Sequence, residues 1–191
     1  LMKHNESREY FYTGKLDINK NFLPKPIGTL LINQPYAKTL KKIASLGASE
    51  FYKGDIPDLI IKDLLKINKD TLLRKKDFIE YISKERKPVC GFYRKYKVCS
   101  MGPPSSGGIA ILQILGILQR FNPTLLNNTV TKIHLISEAT RLAMADRSMF
   151  IGDPDFVKVP VNKLINSKYL EDRSNLIKLG SRIKKVEAGK F

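Results

Sequence analysis

Ser105-Ser106-Gly107-Gly108 is the stretch whose residue types come nearest to a catalytic device. Two hydroxyls and two glycines at the start of an apolar run would place backbone N–H groups and a helix dipole beside an anion or a developing oxyanion. The same pattern also suits a tight turn in which serine caps a buried helix. His134 and Glu138 share one helix face with Arg141 nearby, a spacing suited to a metal or a general base. The third and fourth ligands of a zinc pattern are missing, and a Glu138–Arg141 pair is the simpler reading. Asp146-Arg147 and Gly152-Asp153-Pro154-Asp155 bring carboxylates close to a cation. Such acids either exchange protons or hold a loop through ion pairs and Asx-turns, and the second role is the commoner. A Ser-His-Asp triad would need His134, because His4 is the only other histidine, and no Gly-x-Ser-x-Gly elbow accompanies it.

The elements that must position these residues follow from spacing and punctuation. Pro24 and Pro26 exclude helix around them, so residues 1–27 read as an extended arm. Pro35 opens a helix that Gly47 closes. Asp55 caps a second helix with Pro57 in its first turn. A short helix over Lys75–Ser83 carries Phe78 and Ile82 inward. Residues 89–101 alternate as a hairpin turning at Arg94-Lys95, with Tyr93 opposite Tyr96, Phe92 opposite Lys97, Gly91 opposite Val98 and Cys90 opposite Cys99. Gly91, Tyr93, Tyr96 and Val98 form its apolar face. Cys90 and Cys99 fall at a non-hydrogen-bonded pair, which allows a cross-strand disulfide; the alternative is two thiols packed as small hydrophobes. A helix then runs from Ile109 to about Phe121, and residues 123–128 form a linker. A further helix capped by Thr129 or Thr131 reaches Phe150, and a last one runs from about Pro160 to before Gly180. Helix therefore exceeds strand, without the steady alternation of a doubly wound sheet.

The 191 residues suffice for one domain with a core. At 42% hydrophobic and 27% charged the chain is not a disordered one. No apolar run is long enough to span a bilayer. The net charge of +16 would attract anionic partners, yet the lysines are spread along the chain without a block or an aromatic-interleaved stripe. A solvated basic surface fits better than a nucleic-acid site. Two cysteines are too few for a disulfide framework or a metal site. Leu1 precedes Met2, and Leu1–Glu6 has no signal-peptide core, so the reading frame is expected to extend upstream and the compartment stays open.

The motifs also occur in an order that resembles the γ-glutamyltranspeptidase (glutathione hydrolase) family from about Phe22 to Arg173. Phe51-Tyr52-Lys53-Gly54 is similar to its FY-x-G stretch, and Arg86-Lys87-Pro88-Val89-Cys90-Gly91-Phe92-Tyr93 to its R-x-P-x-x-G-x-Y hairpin. Met101 to Gly108 resembles its PPSSGG turn. Glu138-Ala139, Ala145-Asp146-Arg147 and Gly152-Asp153-Pro154-Asp155-Phe156-Val157 resemble its EA…ADR…GDPDFV segment. Two departures stand out. Asp70 to Phe78 replaces a Gly-Gly-x-x-T/S-x-x-D-L stretch. Lys95 stands where the hairpin turn usually has glycine, and a lysine at positive φ there would cost about 1 kcal/mol.

The resemblance implies a helix-rich α/β fragment of an N-terminal-nucleophile hydrolase, a four-layered αββα sandwich. It implies an arm over 1–21, a large-subunit segment over 22–181 and a loose basic tail over 182–191. Family members cleave themselves, and the freed N-terminal threonine attacks a γ-glutamyl carbonyl with its own α-amine as base. The resemblance therefore implies a small-subunit partner bearing that threonine, a glutathione-like substrate, no cofactor and no metal. It also implies a periplasmic, secreted or cell-surface setting, which is common in the family. None of Thr13, Thr29, Thr39, Thr71, Thr124, Thr129, Thr131 and Thr140 opens a T-T-H-[YF]-S segment. No catalytic residue can therefore be assigned, and the substrate-binding residues remain unknown. Ser105, Ser106, Asp146 and Arg147 match family motifs and are expected to serve folding first. The chain alone is expected to be inactive. The competing readings are a remnant of a split gene and a basic nucleic-acid-binding module.

Overall fold

The computed structural model describes residues 4–191, which divide into two compact units, 4–83 and 84–191.

The first unit does not begin as an extended arm. Residues Asn5–Phe11 form helix α1, and strands β1 (Tyr12–Leu16) and β2 (Phe22–Pro24) pair antiparallel, with Tyr12 opposite Pro24. The prolines still exclude helix where they stand, but they leave the polar run before them free to coil. Helix α2 (Gln34–Leu46) opens with Pro35, and Asn33 caps it by accepting from the Tyr36 N–H at 3.0 Å. Gly47 closes it, and α3 (Ala48–Lys53) follows at once. Asp55 stands at the N-cap of α4 (Ile56–Ile67) with Pro57 in the first turn, but its carboxylate makes no cap. It pairs instead with Lys42, which also holds Glu50 at 2.7 Å. One lysine on α2 thus ties α3 to the start of α4. Helix α5 (Lys75–Ile79) ends early, so Phe78 is half-buried while Ile82 lies exposed beyond it. Tyr52 stacks on Tyr81 with ring centroids 5.5 Å apart, and Phe51 meets Phe78 edge-on. Ile56 and Pro57 are the only fully buried residues described in this unit.

The second unit has a true core. Strands β3 (Val89–Tyr93) and β4 (Tyr96–Ser100) form the expected hairpin in the expected register. The positive φ falls on Arg94, at 54°, and not on Lys95. The turn therefore strains its first central residue, which is the place where a II′ turn favours glycine. Gly91 faces α6 (Gly107–Leu118) so closely that a Cβ there would lie 3.1 Å from Leu112 Cδ2. On the opposite face Cys90 and Cys99 are joined as a disulfide, with Cα atoms 4.1 Å apart. Of the two arrangements that the register allowed, the bonded one is present.

Helix α6 is apolar on nearly every side and packs against α7 (Thr129–Phe150). The linker between them is a 3₁₀ turn, Pro123–Asn127. Asn128 caps α7 by accepting from the Thr131 N–H at 2.9 Å, a role expected of a threonine. The expected last helix is two, α8 (Val161–Leu164) and α9 (Ser167–Ser174). They are broken where the Asn166 side chain accepts from the N–H groups of Lys168 and Tyr169. Ile109, Ile117, Leu135, Leu142, Leu164 and Leu170 form the centre of the core. Residues 182–191, expected to be loose, are held by hydrogen bonds to α7, and Phe191 packs against Phe150 and Tyr169. The cause is two buried carboxylates on α7, described below.

The disulfide closes a short loop, and a loop of about ten residues restricts the unfolded chain by about 2–3 kcal/mol. Replacing Cys90 and Cys99 together by serine should lower unfolding stability by that amount in urea titration, and added reductant should leave the double variant unaffected.

Candidate functional site

Helix α7 buries Leu135, Glu138, Ala139, Leu142, Ala143 and Asp146, which recur every three to four residues on one face. Two of the six are acids. A buried carboxylate persists only if its oxygens are supplied with donors, and each of the two takes at least one donor from the chain beyond α7.

Asp146 is 1% exposed. Its Oδ2 accepts from Gln113 Nε2 on α6 at 2.9 Å and from the Tyr169 hydroxyl on α9 at 2.7 Å. Its Oδ1 pairs with Arg173 Nη2 at 3.0 Å and accepts from the Gly189 N–H at 2.9 Å. The four donors fill the carboxylate's acceptor sites. Gln113 also donates to the Leu164 carbonyl at 3.1 Å, and Arg173 to the Leu142 carbonyl at 3.0 Å. Burial, together with the Asp146 acceptor, holds the Tyr169 hydroxyl well above its usual pKa. Tyr169 is thus a donor at every physiological pH. Gly189 is required by contact, since any Cβ there would collide with the Tyr169 ring.

Glu138 is 4% exposed and makes the second anchor. Its Oε1 meets Arg141 Nη1 at 2.6 Å, and its Oε2 accepts from the Ile183 N–H at 2.9 Å. Arg141 Nη2 donates in turn to the Ile183 carbonyl at 3.0 Å. Both backbone groups of Ile183 are thereby gripped by one acid–base pair. Burial alone would raise the Glu138 pKa. The Ile183 N–H and the Arg141 guanidinium outweigh it and hold the carboxyl below its ordinary value. His134 itself bonds through Nε2 to the Lys178 carbonyl at 2.9 Å. The helix face considered for a metal or general base is thus a row of anchors for residues 178–189. Among the described residues no group of three or more His, Cys, Asp and Glu is gathered to hold a metal.

The serine–glycine turn lies at the other end of α7. Ser106 precedes the first turn of α6 without capping it, and its Oγ accepts from Arg147 Nε at 2.8 Å. Gly108 sits against the Met101 backbone, where a Cβ would lie 3.1 Å from the carbonyl carbon. Arginine cannot take a proton, so Arg147 fixes the Ser106 hydroxyl without activating it. His134 is about 20 Å away along the same helix, too far to serve as its base. The acidic loop is structural too. Asp153 accepts from the Asp155 N–H at 3.0 Å in an Asx-turn. Asp155 binds Lys84 at 2.9 Å and Arg86 at 2.7 Å, and those two cations hold its carboxyl below the usual range.

A profile of the family described as Gamma-glutamyltranspeptidase matches residues 2–189. The chain belongs to the γ-glutamyltranspeptidase family. It is 39% identical over 178 residues to the glutathione hydrolase proenzyme of Escherichia coli (strain K12), covering 93% of this chain and 29% of that protein. It is 36% identical over 173 residues to the glutathione hydrolase proenzyme of Bacillus subtilis (strain 168), covering 88% of this chain and again 29% of the relative. Among solved structures, Helicobacter pylori gamma-glutamyltranspeptidase superposes with a TM-score of 0.74 at 38% identity. That match covers 98% of this chain and 52% of the other. The chain thus spans less than a third of the length of these curated relatives, and its fold is the helix-rich α/β fold of the N-terminal-nucleophile hydrolases in that family. Among the described residues no helix is long and apolar enough to cross a membrane.

What the sequence did not reveal was the role of Gln113, Tyr169 and Arg173. The lone glutamine within an apolar helix was the available signal, because a polar side chain there needs a buried partner.

Asp146→Asn should destabilise the protein by about 3–5 kcal/mol in urea unfolding, because Arg173 would be left as an uncompensated buried cation. Glu138→Gln tests the second anchor. The folded-state pKa of Glu138 is depressed, so its stabilisation is complete above the unfolded value and is lost as pH falls through the folded one. Wild type and variant should differ in stability near pH 7 and converge toward pH 3.

Proposed function

We propose that this chain is large-subunit scaffold of an enzyme that transfers or hydrolyses γ-glutamyl groups, and that the nucleophile comes from a small subunit. The observation that carries this is the ordered family match, 39% identical to a glutathione hydrolase proenzyme over nearly the whole chain yet covering 29% of it. In this reading a threonine hydroxyl attacks the γ-glutamyl carbonyl while its own α-amine takes the proton. The acyl-enzyme then passes its glutamyl group to water or to an acceptor amine. The residues of this chain support the partner rather than react. Arg147 immobilises Ser106, and Asp146 fixes α6, α7 and α9 together. The many exposed apolar side chains of residues 16–82, among them Ile18, Leu30, Ile67 and Leu72, agree with a scaffold that further polypeptide covers.

A second reading, a remnant without activity, is favoured by one feature. Asp70 to Phe78 carries charged residues in place of the family's glycine-rich stretch, in the unit with the fewest buried residues.

Release of p-nitroaniline from γ-glutamyl-p-nitroanilide distinguishes the two. The isolated chain should match buffer. Co-expression with a nucleophile-bearing chain encoded beside it should give activity that a Thr→Ala change in that partner abolishes. Activity from the isolated chain would overturn the scaffold reading, and a bound but inactive pair would establish the remnant.

A further inference from the structure

The hairpin places its disulfide on the face turned away from the core. Gly91 and Val98 are half-buried toward α6, whereas Phe92, Lys97 and Cys99 are exposed and Cys90 is half-buried. The two cysteines of the bond are therefore unequally exposed as residues, Cys99 more than Cys90. The surroundings are strongly basic. Lys87, Arg94, Lys95 and Lys97 lie in or beside the hairpin and have no carboxylate partner among the described residues, while Lys84 and Arg86 are committed to Asp155. Lys97 and Cys99 are two positions apart on β4 and so share its outer face.

We infer that Cys90–Cys99 is an exchange site for small anionic thiols, with Cys99 as the sulfur attacked. Access selects the sulfur, and the neighbouring cations raise the local concentration of a thiol that carries carboxylates. The thiolate forms a bond to Cys99 Sγ. The Cys90–Cys99 bond breaks, and its electron pair leaves on Cys90 Sγ, which takes up one proton. A second thiolate attacks the small-molecule sulfur of this mixed disulfide. Cys99 leaves as a thiolate and is protonated in turn, and the small molecule departs as its own disulfide. Two cysteine thiols are gained and one small disulfide is formed. The hairpin need not open, because its backbone pairing runs from Val89–Ser100 to Tyr93–Tyr96 and its other face stays on α6. The inference is independent of the γ-glutamyl reading, since it concerns only the chemistry of this bond.

The test uses the full chain and glutathione, a thiol with net negative charge at neutral pH. Peptide mapping after acid quenching should find the first glutathione adduct on Cys99. In single variants challenged with glutathione disulfide, Cys90→Ser should be modified at Cys99 at least ~10-fold faster than Cys99→Ser is modified at Cys90. Lys97→Glu should slow reaction with glutathione at least ~3-fold at low salt and leave the rate with uncharged 2-mercaptoethanol unchanged. An adduct found first on Cys90, or no adduct until urea unfolds the chain, would overturn the assignment of the site. Equal slowing with both thiols, or none, would overturn the preference for anions. Mapping on the wild-type chain decides the site even if a variant fails to fold.

Discussion

A carboxylate that is 1% exposed, on the core face of a helix whose other core residues are small or apolar except Glu138, sets the terms for residues 84–191. Asp146 takes one donor from α6, two from α9 and one from the backbone beyond, and each donor is itself fixed by packing or by a second bond. Removing a charge from water costs several kcal/mol unless such partners are present. The arrangement of three helices and a trailing segment is therefore specified by one side chain as much as by apolar contact. Glu138 repeats the device two turns earlier, where it and Arg141 take both backbone groups of Ile183.

Residues 4–83 are organised by a different force. Almost nothing there is fully buried, and the helices are joined by ion pairs and ring contacts: Lys42 with Glu50 and Asp55, Lys75 with Asp58, Tyr52 on Tyr81. Exposed pairs of this kind stabilise little, because water screens them and the long side chains lose freedom on pairing. Such a unit holds a geometry more weakly than a core does, and it leaves many apolar side chains in contact with solvent.

Local chemistry was legible in the sequence, and distant partnership was not. The hairpin register followed from alternation and a two-residue turn, and Pro35, Gly47 and Pro57 marked helix ends correctly because their constraints are intrinsic to the backbone. Cap assignments fared worse. Asp55 and Ser106 stand at N-caps, yet their side chains bond Lys42 and Arg147, since a charged partner offers more than a backbone N–H. The tail looked loose because its own sequence is basic and polar. Its order comes from Glu138 and Asp146, whose inward orientation becomes evident only once the buried face of α7 is known. For the candidate site, the family motifs were identified as a set, but the partners of the buried Asp146 include Gln113 and Tyr169, which no motif had marked.

The Asp146 cluster also imposes an order on synthesis. Asp146 meets Gln113 as soon as α7 forms, but its last donor, Gly189, lies 43 residues further on. At the usual 5–20 residues per second the ribosome takes roughly 2–9 s to supply it. During that interval α7 presents a carboxylate that lacks one of its donors. The nascent chain is thus most exposed to chaperones and proteases just after its longest helix has emerged, and translation speed through residues 147–189 becomes a determinant of yield.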